Sequence, residues 1–179
     1  GGEGGDEGGG GGVAAPAKQI VKWHLHGSPK ANFSSVVVFP YDTVSNKVTL
    51  ITEYCPGPDC VLSGLPAGSF EPDKHQDLTH AAMDELNEEA GLKARKLIPL
   101  TPNGLVVDKY SMNKLHCYLA LDCVIDDNPR PQDDTEDISV ERGVSIEEVL
   151  SRLERGDMPA PSAVAALLAI QRLGDLELL

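Results

Sequence analysis

Apolar residues along this chain follow two rhythms. Residues 34–40 (SSVVVFP) and 47–53 (KVTLITE) are unbroken or alternating runs rich in β-branched side chains, and they predict paired strands joined by a hairpin turn over residues 42–46. Residues 55–59 (CPGPD) predict a rigid loop leading to the strand-like Val61 and Leu62. Further strands are expected over residues 93–97, 114–124 (KLHCYLALDCV) and 138–140, with a loop over residues 99–104. Residues 18–25 alternate loosely through Ile20, Lys22, Trp23 and Leu25 and suggest one more short strand.

The second rhythm is helical. Between Leu65 and Leu92 the chain reads as a turn (Pro66, Ala67, Gly68), an acidic loop, and a helix capped by Asp77 or Thr79 and ended by Gly91. Ser145, with Glu148 three residues on, predicts a capping box and a helix that runs to Arg155 and stops at Gly156. Ser162 is expected to cap a last helix over residues 163–173, whose Val164, Leu167, Leu168 and Leu173 form an apolar stripe. Strands and helices in this order give an α/β fold.

Composition trims the picture at the ends. The first 17 residues, GGEGGDEGGGGGVAAPA, hold too little apolar surface to offset ordering entropy, so residues 1–17 are expected to be disordered and residues 18–179 to form a single domain. Position 1 is not methionine, which suggests a processed or truncated chain.

Fifteen basic against 28 acidic residues leave a net charge of −13, which argues against nucleic acid as a partner. Cys55, Cys60, Cys117 and Cys123 lack CxxC spacing and are expected to be reduced, in the cytoplasm or in an organelle such as a plastid. No apolar run reaches 18 residues, so membrane insertion is not expected.

Charge matters most on the first helix. At 100° per residue Glu85, Glu88 and Glu89 fall within about 100° of one another. Like charges at i,i+4 destabilise a helix by a few tenths of a kcal/mol. Either they form a solvated acidic face, or a hard cation sits among them. Trp23 either packs under the sheet or stacks on a purine. His24, His26 and His116 read as ordinary strand or surface residues.

The stretch from Gly68 through Glu85, Leu86, Glu88, Glu89, Gly91 and Leu92 resembles a Nudix box, the loop-helix-loop signature of hydrolases acting on nucleoside diphosphates linked to another group. The LPAG turn with FEPDK is similar to the ADP-ribose and ADP-sugar pyrophosphatase branch. That resemblance implies a Nudix-type α/β/α sandwich with a mixed sheet between helices, and Mg²⁺ (or Mn²⁺) held by Glu85, Glu88, Glu89 and the carbonyl of Ala67 or Gly68. It also implies an acid from a later loop, Asp134 or Glu136, acting on water, with Asp134 the candidate base. Substrate contacts are expected from Trp23, Glu53 and Cys55, and the expected partner is a nucleoside diphosphate sugar.

The chain departs from the family pattern at several points. Asp84 stands where the box has arginine, and the gap from Gly68 to Glu85 is two residues longer. The intermediate glutamate falls on Gln76 or Glu71, Cys55 replaces a substrate-contacting arginine, and Gly64 replaces an acid. These departures make a second reading serious, a Nudix scaffold that binds a nucleotide or a protein without turnover. Branch members are commonly dimers, so a homodimer or an assembly partner is compatible with either reading.

Overall fold

The computed structural model describes residues 22–132 and 137–179. Its elements in chain order are β1 (Ser34–Asp42), β2 (Lys47–Cys55), β3 (Cys60–Gly64), β4 (Ala67–Ser69), α1 (Leu78–Ala90), β5 (Leu92–Lys93) and β6 (Lys96–Pro99). Then follow β7 (Leu105–Val106), β8 (Lys114–Leu121), β9 (Val124–Ile125), β10 (Ile138–Val144), α2 (Ile146–Arg155) and α3 (Ala160–Asp175). The main sheet runs β10-β2-β1-β8-β6, with β3 added to β2, β4 to β1 and β7 to β8. All its pairings are antiparallel except β1 with β8, which run parallel from Ser34 opposite Lys114 to Tyr41 opposite Leu121. The sheet is therefore mixed, and β5 and β9 form a separate two-stranded ribbon.

The near-continuous apolar run of β1 has a physical reason: both of its faces are covered. Val36 and Val38 pack with Tyr118 and Ala120 against Ala81, Ala82, Leu86 and Ala90 of α1. Val37, Phe39 and Tyr41 point the other way, with Cys117 and Leu119, onto Ala165, Ala166, Ala169 and Leu173 of α3. Helix, sheet and helix make the expected α/β/α layers.

Local signals hold in most places. Asp77 caps α1 by accepting the His80 N–H at 2.8 Å. Gly91 ends that helix in the left-handed region at φ 63°, which a side chain rarely adopts. Ser145 Oγ accepts the Glu148 N–H at 3.2 Å. Only half of that capping box forms, because the Glu148 carboxylate is taken by Arg152 at 2.8 Å.

The structure corrects five expectations. The strand over residues 93–97 is split into β5 and β6, and the strand over residues 114–124 stops at Leu121, where Asp122 turns with φ 52°. Residues 22–25 form no strand. His26 makes only an isolated bridge to Ser111, and Trp23 is 57 % exposed rather than packed under the sheet. Ser162 does not cap α3: the helix starts two residues before it, with Pro159 at the cap and Pro161 in the first turn, where its fixed φ is already helical. Ser162 lies buried inside, its Oγ accepting the Leu65 N–H at 3.1 Å. None of the described helices is long and apolar enough to cross a membrane.

Candidate functional site

The site lies where α1 meets the short strand β4. A Cβ added to Gly68 would stand 2.0 Å from Glu85 Oε1, so the Glu85 carboxylate occupies the space a side chain would fill. One turn further on, Glu89 is buried and accepts the Ala67 N–H at 2.8 Å through Oε2. Two acids from successive turns thus converge on two adjacent backbone residues, as helical spacing requires.

The ladder decides which carbonyl remains at this point. The Val38 N–H donates to Pro66 O at 2.9 Å, and the Phe70 N–H donates to Ser34 O at 3.0 Å. In an antiparallel pair bonded residues alternate, so Gly68 opposite Val36 spends its own groups on β1, while those of Ala67 turn outward. Of the two carbonyls expected to serve, that of Ala67 is the one left off the β1 ladder.

These donors suit a hard cation. Every one is oxygen, and they meet at a turn kept open by the missing side chain of Gly68. Among the described residues no three His, Cys, Asp or Glu side chains converge into a cage. Mg²⁺ seldom uses such a cage; it binds through one or two carboxylates, substrate phosphates and water. The arrangement fits that habit.

Glu88 is set apart from its two neighbours. Half-buried, it faces Arg130 Nη1 at 3.4 Å. The same guanidinium contacts Asp84, which is only 7 % exposed and is also approached by His75 Nε2 at 3.7 Å and His80 Nε2 at 3.8 Å. His75 Nδ1 accepts the Glu71 N–H at 3.0 Å, so its ring proton sits on Nε2, toward Asp84. The Arg130 N–H donates to Asn87 Oδ1 at 3.0 Å, and Asn87 Nδ2 donates to Asp126 at 2.8 Å. Asp126 also pairs with Lys93 at 2.9 Å, and Lys93 foremost, then Asn87, holds its carboxyl below the usual range. Arg130, His75, His80 and Asn87 were missed by sequence reasoning. The one available signal was Arg130, the single cation in the acidic run DDNPRPQDDTED.

Other expected residues fall in three places. Glu53 and Cys55 line a cavity of about 180 Å³ together with Ala67 and Glu89, so the structure brings them to the site. Burial first, then Glu53 and Cys60, push the Cys55 thiol above its ordinary value. Trp23 is not among the residues lining the cavity with Glu53 and Cys55; its ring lies 5.7 Å from Tyr110, with Lys109 Nζ 4.8 Å above it. Asp134 and Glu136 lie outside the described residues. Of the two stand-ins for the intermediate glutamate, Gln76 is exposed and Glu71 pairs with Lys74 at 2.9 Å.

Comparison with known proteins agrees with this fold. One solved structure similar to the chain is described as an ADP compounds hydrolase; it is 22 % identical, with a TM-score of 0.67, over 82 % of this chain and 75 % of that one. Another is the NUDIX domain of Shewanella oneidensis NrtR complexed with ADP ribose, 20 % identical with a TM-score of 0.58, over 86 % of this chain and 90 % of that one. No curated protein matches the sequence. The NUDIX domain profile matches residues 31–167. With the turn, the carboxylate helix and the mixed sheet all inside that span, the chain belongs to the NUDIX domain family.

Proposed function

We propose that the protein is a Mg²⁺-dependent hydrolase of a nucleoside diphosphate linked to a sugar, ADP-ribose or an ADP-sugar. Water adds to one phosphorus, the P–O–P bond breaks, and AMP and a sugar phosphate leave. The observation that carries this is the convergence of Glu85 and Glu89 on the Ala67–Gly68 turn. Glu85 and Glu89 would hold the ion (Mn²⁺ serving as well), with Glu88 assisting and the Ala67 carbonyl completing the set. The bound ion would neutralise the diphosphate and activate water. Asp134 or Glu136, with Asp134 the candidate base, would take the proton from that water. Glu53 and Cys55 would meet the substrate in the cavity beside Glu89. One similar structure is that of an ADP compounds hydrolase and another is complexed with ADP ribose, which supports this substrate class.

A second reading, a nucleotide- or protein-binding scaffold without turnover, has its own observation. The cavity of about 180 Å³ lies below the roughly 300–1,000 Å³ usual for ligand pockets, and a thiol stands where a guanidinium would clamp phosphate. Incubation with ADP-ribose, ADP-glucose, NADH and 8-oxo-dGTP in Mg²⁺ or Mn²⁺, following AMP or phosphate release, separates the two. Turnover that collapses in Glu85→Gln and Glu89→Gln supports the hydrolase. No turnover with any substrate, and no metal-induced rise in Tm, leaves the scaffold.

A further inference from the structure

Four carboxylates, Asp84, Glu85, Glu88 and Glu89, occupy six consecutive residues of one helix. Asp84 and Glu88 stand one turn apart, where like charges oppose each other. Between them lies a single guanidinium, Arg130 Nη1, touching Asp84 and 3.4 Å from Glu88. The cation comes from outside the helix and is not a loose contact. The backbone N–H of Arg130 is fixed on Asn87 Oδ1, and Asn87 in turn holds Asp126, whose own N–H donates to Gly91 O at 2.9 Å. The segment from Asp126 to Arg130 is therefore fastened along α1 at three levels.

We infer that Asp84 and Arg130 form a positioning pair for the metal site: Asp84 seats the guanidinium, and the guanidinium draws Glu88 to one side and leaves Glu85 and Glu89 to face the Ala67–Gly68 turn. Burial supports the division of labour. Asp84 is 7 % exposed at the back of the cavity it shares with Glu85, Glu88 and Arg130, with His75 and His80 against it, so little of it is open to a solvent-borne ion, whereas Glu88 is half-buried and reachable. The inference rests on the hydrolase reading above, because it needs an ion to be bound.

Coulomb's law and positioning predict opposite signs here, which makes the pair testable. A guanidinium repels a divalent cation, so if Arg130 acts only as a charge, Arg130→Gln tightens metal binding. If it holds Glu88 aside so that Glu85 and Glu89 face the turn, the same substitution weakens binding by about 10- to 100-fold, as loss of an outer-shell partner commonly does. Mn²⁺ titration of the full chain, with free Mn²⁺ followed by its EPR signal, reads the difference, and the Tm without metal checks folding. The charge-exchanged variant Asp84→Arg with Arg130→Asp restores the pair at unchanged net charge and is expected to regain affinity to within about threefold of wild type. Equal or tighter Mn²⁺ binding by Arg130→Gln, with wild type binding normally, overturns the positioning role alone. Absence of Mn²⁺ binding by wild type overturns the hydrolase reading and this inference with it.

Discussion

Replacing Gly68 by alanine separates the fold from the site. The glycine does not adopt a positive φ, so alanine meets no backbone strain there. Its methyl carbon, however, would lie 2.0 Å from Glu85 Oε1 and 2.2 Å from Cδ. Ordinary contact begins near 3.4 Å, so the carboxylate must retreat by roughly 1.4 Å. It is the end of a flexible chain and can do so at a cost of about 0.5–1.5 kcal/mol in rotamer energy, a Tm loss of roughly 1–6 °C. Catalysis is less forgiving, since a 1 Å misplacement in a reacting constellation costs on the order of 100-fold in rate. The expected result is a folded variant whose kcat on ADP-ribose with Mg²⁺ falls about 100-fold and whose metal-induced Tm rise shrinks. Wild-type turnover in Gly68→Ala would refute the assignment of Glu85 to the ion.

Other consequences are simpler to measure. Ser162→Ala strands the buried Leu65 N–H and should cost about 1–3 kcal/mol by urea unfolding, with little effect on metal binding. All four thiols are free. Burial pushes Cys117 up to about 11 and, with Asp122 and Asp42, Cys123 up to about 12. A disulfide reagent at pH 8 should therefore titrate Cys55 and Cys60 in the native protein and reach the other pair only on unfolding. Asp126, held below the ordinary carboxylate range by Lys93 and Asn87, contributes stability that is present above about pH 4 and lost as pH falls through its folded value. Asp126→Asn should be less stable than wild type at pH 7, and the gap should close in acid; a constant gap would assign the effect to packing.

Much of this architecture is legible from local pattern because local chemistry decides it. Asp77, Gly91, Ser145 and Gly156 punctuate helices by bonds within a few residues, and each does so where expected. The β-branched run of β1 reveals a strand covered on both faces. What fails depends on distant partners. Asp84 reads as the loss of a cation because its counter-charge is Arg130, which comes from a loop well beyond the helix and whose own reach to Glu88 spans 42 residues. Ser162 reads as a cap because nothing nearby tells of Leu65, 97 residues before it. The splitting of β5 from β6 turns on β6 joining β8 while β5 joins β9, a choice made by tertiary pairing. The expected acids Asp134 and Glu136 gain no support, since they lie outside the described residues.

The parallel junction of β1 with β8 bears on how the molecule is made. Until Leu121 has been synthesised, the hairpin of β1 and β2 has no neighbour on its other flank, and Tyr118 and Ala120, which floor the carboxylate helix, do not yet exist. At roughly 5–20 residues per second the helix waits about 2–6 s on the ribosome for its seat. Through that interval its acids are crowded by one another, with neither a bound ion nor Arg130 to relieve them. The floor of the carboxylate helix is thus completed by a strand that carries none of the site's chemistry.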